Sequence, residues 1–169
     1  MLSDKFNAAG IRYALIGGFA LHAAGYVRAT NDIDLLLNAE DTAAAKELLA
    51  ASGYRLIHED TNVLHFEAPP QLFGGLDIVL AQRKYTLNML ARASAGPHGI
   101  PAVRPEDIIG LKVQAIANAP SRRSRDLADI EWLIVTHRAS LDLALVREYF
   151  ELFGMSDELN RLLGEEHHA

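Results

Sequence analysis

The chain has 169 residues, half of them apolar, no cysteine and a formal net charge of −6. Such a length and apolar content suffice for one buried core, or for one domain with a helical extension. The missing cysteine excludes disulfides and thiolate metal sites, and the acidic balance argues against a broad, sequence-independent grip on nucleic acid, which rests on an excess of Lys and Arg. The seven histidines form no zinc motif. Because no apolar stretch reaches about 18 residues and the start "MLSDKFNAAG" carries no export signal, the expectation is a soluble cytoplasmic protein without a membrane span.

In chain order, "SDKFNAAG" predicts a short helix capped by Ser3 and stopped by Gly10. "IRYALIGG" then predicts a buried strand ending in two glycines, and "FALHAAGY" a short Ala-rich helix starting just beyond Gly18. "DIDLLL" is the next strand, followed by an amphipathic helix over "AEDTAAAKELLAASG", with acids in its first turn and Gly53 at its end. "YRLIHED" and "NVLHFEA" predict a hairpin turning at "EDTN". After the break at "PPQLFGG", "LDIVLA" supplies another strand, so the first part is an α/β core (residues 1–98) with a mixed sheet.

The remainder, residues 99–169, reads as a C-terminal helical region, with the boundary near Gly99 to Arg104. "RPEDIIGLKVQAIANA" has Pro105 in its first turn and an apolar face of Ile108, Leu111, Ala115 and Ile116. "RDLADIEWLIVTH" and "LALVREYFELFG" supply two more helices. Trp132, Tyr149, Phe150 and Phe153 stand at helical spacing and are expected in the core. His167 and His168 lie at the extreme end of the sequence and are assigned no role.

Asp32 and Asp34, in "RATNDIDLLL", share one face of a strand, roughly 6.5 to 7 Å apart along it. Their mutual repulsion can be relieved by solvent, by Arg or Lys, or by a divalent cation. Asp77 is likewise a lone acid among apolar residues on another strand. Gly17 and Gly18 stand where a strand meets a helix, a junction that makes a tight turn and also lets a phosphate approach backbone N–H groups.

Together, "LIGGF", "NDIDLL" and "GLDIVL" resemble the signature of the nucleotidyltransferase superfamily related to DNA polymerase beta. "GGFALHAAGYVRATNDIDLLL" and "DIIGLKVQAIANAPSRRSRDLADIEWLI" are similar to its bacterial branch with the AbiEii-type toxins, the second stretch giving a Lys and an Arg-Asp-x-x-Asp element. The resemblance covers about residues 11 to 136.

It implies the nucleotidyltransferase fold and transfer of a nucleoside monophosphate from a nucleoside triphosphate to a hydroxyl, with release of pyrophosphate. It also implies two Mg²⁺ or Mn²⁺ ions held by Asp32, Asp34 and Asp77, with Asp77 helping to take the acceptor's proton. Gly17 and Gly18 would cradle the β- and γ-phosphates, with Arg28, Thr30, Lys112 and Arg125 as further phosphate-side candidates. Asp126 and Asp129 are site-facing candidates or a capping set, and Tyr26 could stack on a base.

The chemistry is consistent: paired divalent ions need several carboxylates and no cysteine or histidine. The acceptor could be tRNA, a protein or a small molecule such as an antibiotic, and an antitoxin protein is a possible partner. The basic run of Arg122, Arg123 and Arg125 keeps tRNA open. The rival reading is a catalytically silent module of the same fold that binds nucleotide or a partner. The chain departs from the family in its length, shorter than many toxin-branch members, and in Phe19 after the glycine pair, where a backbone cradle would survive.

Overall fold

The computed structural model describes residues 1–27, 29–72 and 74–165. Contacts divide the chain into two units, Met1–Arg104 and Pro105–Ala169.

The first unit begins with α1 (Leu2–Ala8) and β1 (Tyr13–Leu15). Ser3 lies inside α1 and does not cap it. The terminal ammonium of Met1 donates to Asp4 Oδ2 at 2.6 Å, so the chain's own end takes up the first-turn acid. Then come α2 (Gly17–Ala23), β2 (Ile33–Asn38) and α3 (Thr42–Ala51). The hairpin is β3 (Arg55–Glu59) and β4 (Val63–Glu67), and β5 (Gly75–Ala81) follows. Asp60 Oδ1 accepts from the amides of Asn62 at 2.7 Å and Val63 at 2.9 Å. Those two donors close the hairpin turn and hold the Asp60 carboxyl below its usual range.

Three elements of this unit lie outside the predicted set: α4 (Lys84–Ala91), β6 (Ser94–Ala95) and β7 (Pro101–Ala102). The sheet order is β3-β4-β5-β2-β1-β7-β6. It is mixed, with β2/β5 and β1/β7 parallel and the other pairs antiparallel. Because β7 pairs with β1, residues 99–104 belong with the sheet, and the chain divides after Arg104.

Strand side chains alternate between faces, and the register sorts them. Tyr13, Leu15, Leu35, Leu37, Leu64, Phe66, Leu76 and Ile78 share one face and are all buried. The other face carries Ala14, Asp34, Leu36, His65 and Asp77. Burying eight large apolar side chains, at about 1.5 to 3 kcal/mol each, fixes this register, since a one-residue slip would turn them outward and the acids inward.

The second unit consists of α5 (Pro105–Asn118), α6 (Arg123–His137), α7 (Leu143–Leu152) and α8 (Ser156–Leu163). The apolar face of α5 is wider than predicted. Ile108 and Ile116 are buried, but so are Ile109 and Val113, while Leu111 and Ala115 are only half-buried. The reason is that α5 packs against both α6 and α7, so two sides of one helix are covered. Of the four aromatics expected in the core, Tyr149 and Phe150 are buried while Trp132 and Phe153 are only half-buried, and the Tyr149 hydroxyl donates to the buried Asp107 at 2.8 Å. No helix among the described residues is long and apolar enough to cross a membrane.

Candidate active site

The parallel pairing of β2 with β5 sets Asp34 directly beside Asp77. Adjacent strands lie about 4.8 Å apart, so the two carboxylates rise side by side from one face. Asp34 is half-buried, while Asp77 keeps 41 % of its side chain exposed. Asp32 stands just before β2 and is exposed. Its Oδ1 accepts from the Gly75 amide at 2.8 Å, which fixes the acid to the first residue of β5.

The glycine turn closes on the same place. Gly17 has φ +59, a left-handed conformation that favours glycine. A Cβ there would lie 2.1 Å from Asp34 Oδ2, and one on Gly18 would lie 2.7 Å from the Thr30 Cβ. The two glycines therefore bring backbone against an acid and a hydroxyl residue. Thr30 Oγ1 donates to the Asp32 carbonyl at 3.2 Å, and no side chain caps the N-terminus of α2. The helix starts at Gly17 itself, two residues earlier than its composition predicts, because the Gly17 turn already points the chain into it.

One residue of the site escaped sequence reasoning. His65 on β4 is the register partner of Asp77, and its Nδ1 lies 2.7 Å from Asp77 Oδ1. Asp77 is thereby held by one oxygen, leaving Oδ2 for other use. His58 on β3 stands beside it, ring centroids 5.3 Å apart. The alternation in "NVLHFEA" places His65 opposite Leu64 and Phe66, but only the pairing of β4 with β5 says which acid it meets. His65→Phe is expected to lower kcat about 10- to 100-fold with KM for the nucleotide nearly unchanged, and His65→Asn to recover part of it, as steady-state kinetics would show.

Among the described residues, no three acid or histidine side chains stand ready as a cation site. Asp32 is turned onto the Gly75 amide and Asp77 onto His65. The donor set nonetheless suits a hard divalent cation, being carboxylate oxygens gathered on one sheet face beside a turn stripped of Cβ atoms.

In the second unit, Lys112 is buried with its ammonium 3.0 Å from Asp126 Oδ1 and 2.6 Å from Asp129 Oδ2. Arg122 Nε adds a bond to Asp126 Oδ2 at 3.0 Å. Burial of Asp126 opposes its charge, but Arg122 and Lys112 outweigh that and hold its carboxyl below the usual range. Its contribution to stability is therefore present above the ordinary carboxylate range and lost as pH falls through the depressed value.

Lys112, expected to reach a triphosphate, is engaged by these two carboxylates here. Its ammonium is already neutralised by two carboxylates, and it ties α5 to α6. Lys112→Met, measured by denaturant unfolding, is expected to cost about 3 to 5 kcal/mol by stranding buried charge. Arg125 is 57 % exposed, with Nε 4.0 Å from Asp126 Oδ1. Tyr26 follows α2 and is half-buried. Arg28 lies outside the described residues.

A mixed sheet with paired acids on neighbouring parallel strands, faced by a Gly-Gly turn, defines the class: this is a nucleotidyltransferase fold. The model of the family described as "Nucleotidyl transferase AbiEii toxin, Type IV TA system" matches residues 2–168. The chain belongs to this AbiEii nucleotidyltransferase family, and nucleotidyl transfer is its class of reaction.

Among solved structures, the fold is similar to ANT(2'')-Ia in complex with adenylyl-2''-tobramycin, with a TM-score of 0.67 and 15% identity over 90% of this chain and 94% of that one. The solution structure of ANT(2'')-Ia gives a TM-score of 0.69 and 18% identity, over 99% and 94%. Lincomycin-bound LnuA, a lincosamide antibiotic adenylyltransferase, gives 0.53 and 19%, over 77% and 90%. No curated protein matches the sequence.

Proposed function

We propose that the chain transfers a nucleoside monophosphate from a nucleoside triphosphate, with ATP as first candidate, to an acceptor hydroxyl, releasing pyrophosphate. The observation that carries this reading is the in-register pair Asp34 and Asp77, with the Cα of Gly17 pressed against the Asp34 carboxylate.

Asp32, Asp34 and Asp77 would hold Mg²⁺ or Mn²⁺, two ions in all, whose charge offsets that of the triphosphate and the leaving pyrophosphate. The Gly17 and Gly18 amides receive phosphate oxygens at a turn where no Cβ intervenes. As the acceptor oxygen bonds to the α-phosphorus and the bridge to the β-phosphate breaks, Asp77 Oδ2 takes the hydroxyl proton. His65, on Oδ1, keeps that carboxylate in place. Thr30, packed on Gly18, supports the turn, and Arg28 and Arg125 are further phosphate-side candidates in this reading, Arg125 on the second unit.

For the acceptor, the net charge of −6 favours a small hydroxyl compound over a large RNA surface. The tobramycin and lincomycin in the names of similar folds agree with that class. The family description adds a toxin role, with an antitoxin protein as partner.

The test is transfer of label from each α-labelled nucleoside triphosphate, with Mg²⁺ and with Mn²⁺, to an aminoglycoside and lincosamide panel, to total tRNA and to protein. Label on the small-molecule arm supports the acceptor reading, and label only on tRNA or protein overturns it. No transfer to any acceptor, with no metal-dependent nucleotide binding, would favour a silent module.

A further inference from the structure

We infer that Gly74 and Gly75 are positioning residues for Asp32: the turn they make at the start of β5 holds that carboxylate in place through a backbone amide. The inference rests on the reading of Asp32 as a cation-holding acid.

Gly75 opens β5, and its amide donates to Asp32 Oδ1 at 2.8 Å. A bond from an N–H to a carboxylate is roughly twice as strong as one between neutral groups. The amide is also fixed by its strand, so it holds the acid without the rotamer freedom that a long side chain would lose. With Oδ1 engaged, the direction of Oδ2 is set. Gly75 stands two residues before Asp77 and so on the same face of β5. A Cβ there would lie 3.3 Å from Asp32 Oδ1 and 3.3 Å from the Phe66 carbonyl oxygen. Its missing side chain leaves the Asp32 carboxylate a place on the acid face.

Gly74 acts from the backbone side. It has φ +84, and a Cβ on it would lie 1.8 Å from the Asn31 carbonyl oxygen and 2.9 Å from the Asn31 carbonyl carbon. That carbonyl belongs to the peptide that joins Asn31 to Asp32. The chain entering β5 is therefore pressed against the peptide that carries the acid, an approach that no residue with a Cβ allows without a shift. The pairing of β2 with β5 begins only at Ile33 and Leu76, one residue beyond Asp32, so the turn places an acid that the ladder does not.

Each of the three acids then has its own support. Gly17 closes on Asp34, His65 Nδ1 lies 2.7 Å from Asp77 Oδ1, and the Gly74–Gly75 turn serves Asp32. A site that binds cations tightly needs its ligands locked by such outer partners.

The experiment measures Mn²⁺ binding to the full chain with a fixed excess of α,β-methylene ATP, which cannot release pyrophosphate, so catalysis does not enter. The readout is the enhancement of water-proton relaxation by protein-bound ion, taken where thermal melts show each variant folded. Gly74→Ala and Asp32→Ala are each expected to weaken Mn²⁺ binding at least about tenfold, as loss of a cation ligand or of its outer partner does. Gly75→Ala, whose φ is not left-handed, is expected to weaken it about fivefold, and it serves alone should Gly74→Ala not fold. Gly10→Ala, with φ +67 and nothing within 4 Å of its Cβ, carries the same backbone strain away from the site and is expected to stay within about twofold. If Asp32→Ala weakens binding while a folded Gly74→Ala or Gly75→Ala binds like wild type, the positioning role is overturned and the cation reading of Asp32 stands. Equal weakening by Gly10→Ala overturns the role as well, since strain alone then accounts for the loss. If Asp32→Ala binds Mn²⁺ like wild type, or wild type binds none, the cation reading fails and this inference with it.

Discussion

Asp34→Asn is expected to lower kcat for nucleotidyl transfer by about 10³-fold while the protein stays folded. The substitution keeps shape and removes one charge, so packing around β2 is preserved. The lost charge is the one nearest the glycine turn, where a Cβ on Gly17 would lie 2.1 Å from Asp34 Oδ2, and beside Asp77 across the β2/β5 pair. Deleting a metal-holding carboxylate forfeits several kcal/mol of charge stabilisation, and each 1.4 kcal/mol or so is tenfold in rate. Steady-state transfer beside a thermal melt separates the two effects. Activity within about threefold of wild type at an unchanged melting temperature would remove Asp34 from the site.

The second large effect is expected from Gly17→Ala, which acts on the same carboxylate from the backbone side. Its new Cβ would overlap the Asp34 carboxylate, and its φ of +59 is strained for any residue with a Cβ. Either Asp34 moves or the turn does, so both stability and activity should fall, by about 1 to 3 kcal/mol and more than tenfold respectively. Gly10→Ala is the control. Gly10 has φ +67, but its Cβ would meet nothing within 4 Å, so it reports backbone strain without the clash. If the two variants lose stability equally and neither loses activity, the Gly17 turn has no part in positioning Asp34.

The carboxylate strands were legible because their signal is local. A period of two places Asp32 and Asp34 on one face, and an acid among apolar neighbours marks Asp77. What local pattern does not carry is register. His65 meets Asp77 only through the pairing of β4 with β5, which depends on a hairpin and a connection that periodicity does not measure.

Lys112 shows the same limit on a helix. The spacing of Asp126 and Asp129, three apart, puts both on one side of α6, but that they enclose Lys112 follows from how α5 packs on α6. Segments of two residues, such as β6 and β7, are too short for any alternation to register. In α4 "KYTLNMLA" buries only Met89, so it has no apolar face for periodicity to register. Ser3 does not cap α1 because the helix already begins at Leu2, one residue before it.

The measurement that tests the central claim most directly is a single assay of label and pyrophosphate. Wild type and the Asp32→Asn/Asp34→Asn double variant are given one α-labelled nucleoside triphosphate, Mg²⁺ and an acceptor mixture, and both products are quantified. The account predicts one pyrophosphate released for each labelled acceptor with wild type and neither product with the variant. Equal transfer by the variant, or label transferred without pyrophosphate, would contradict it.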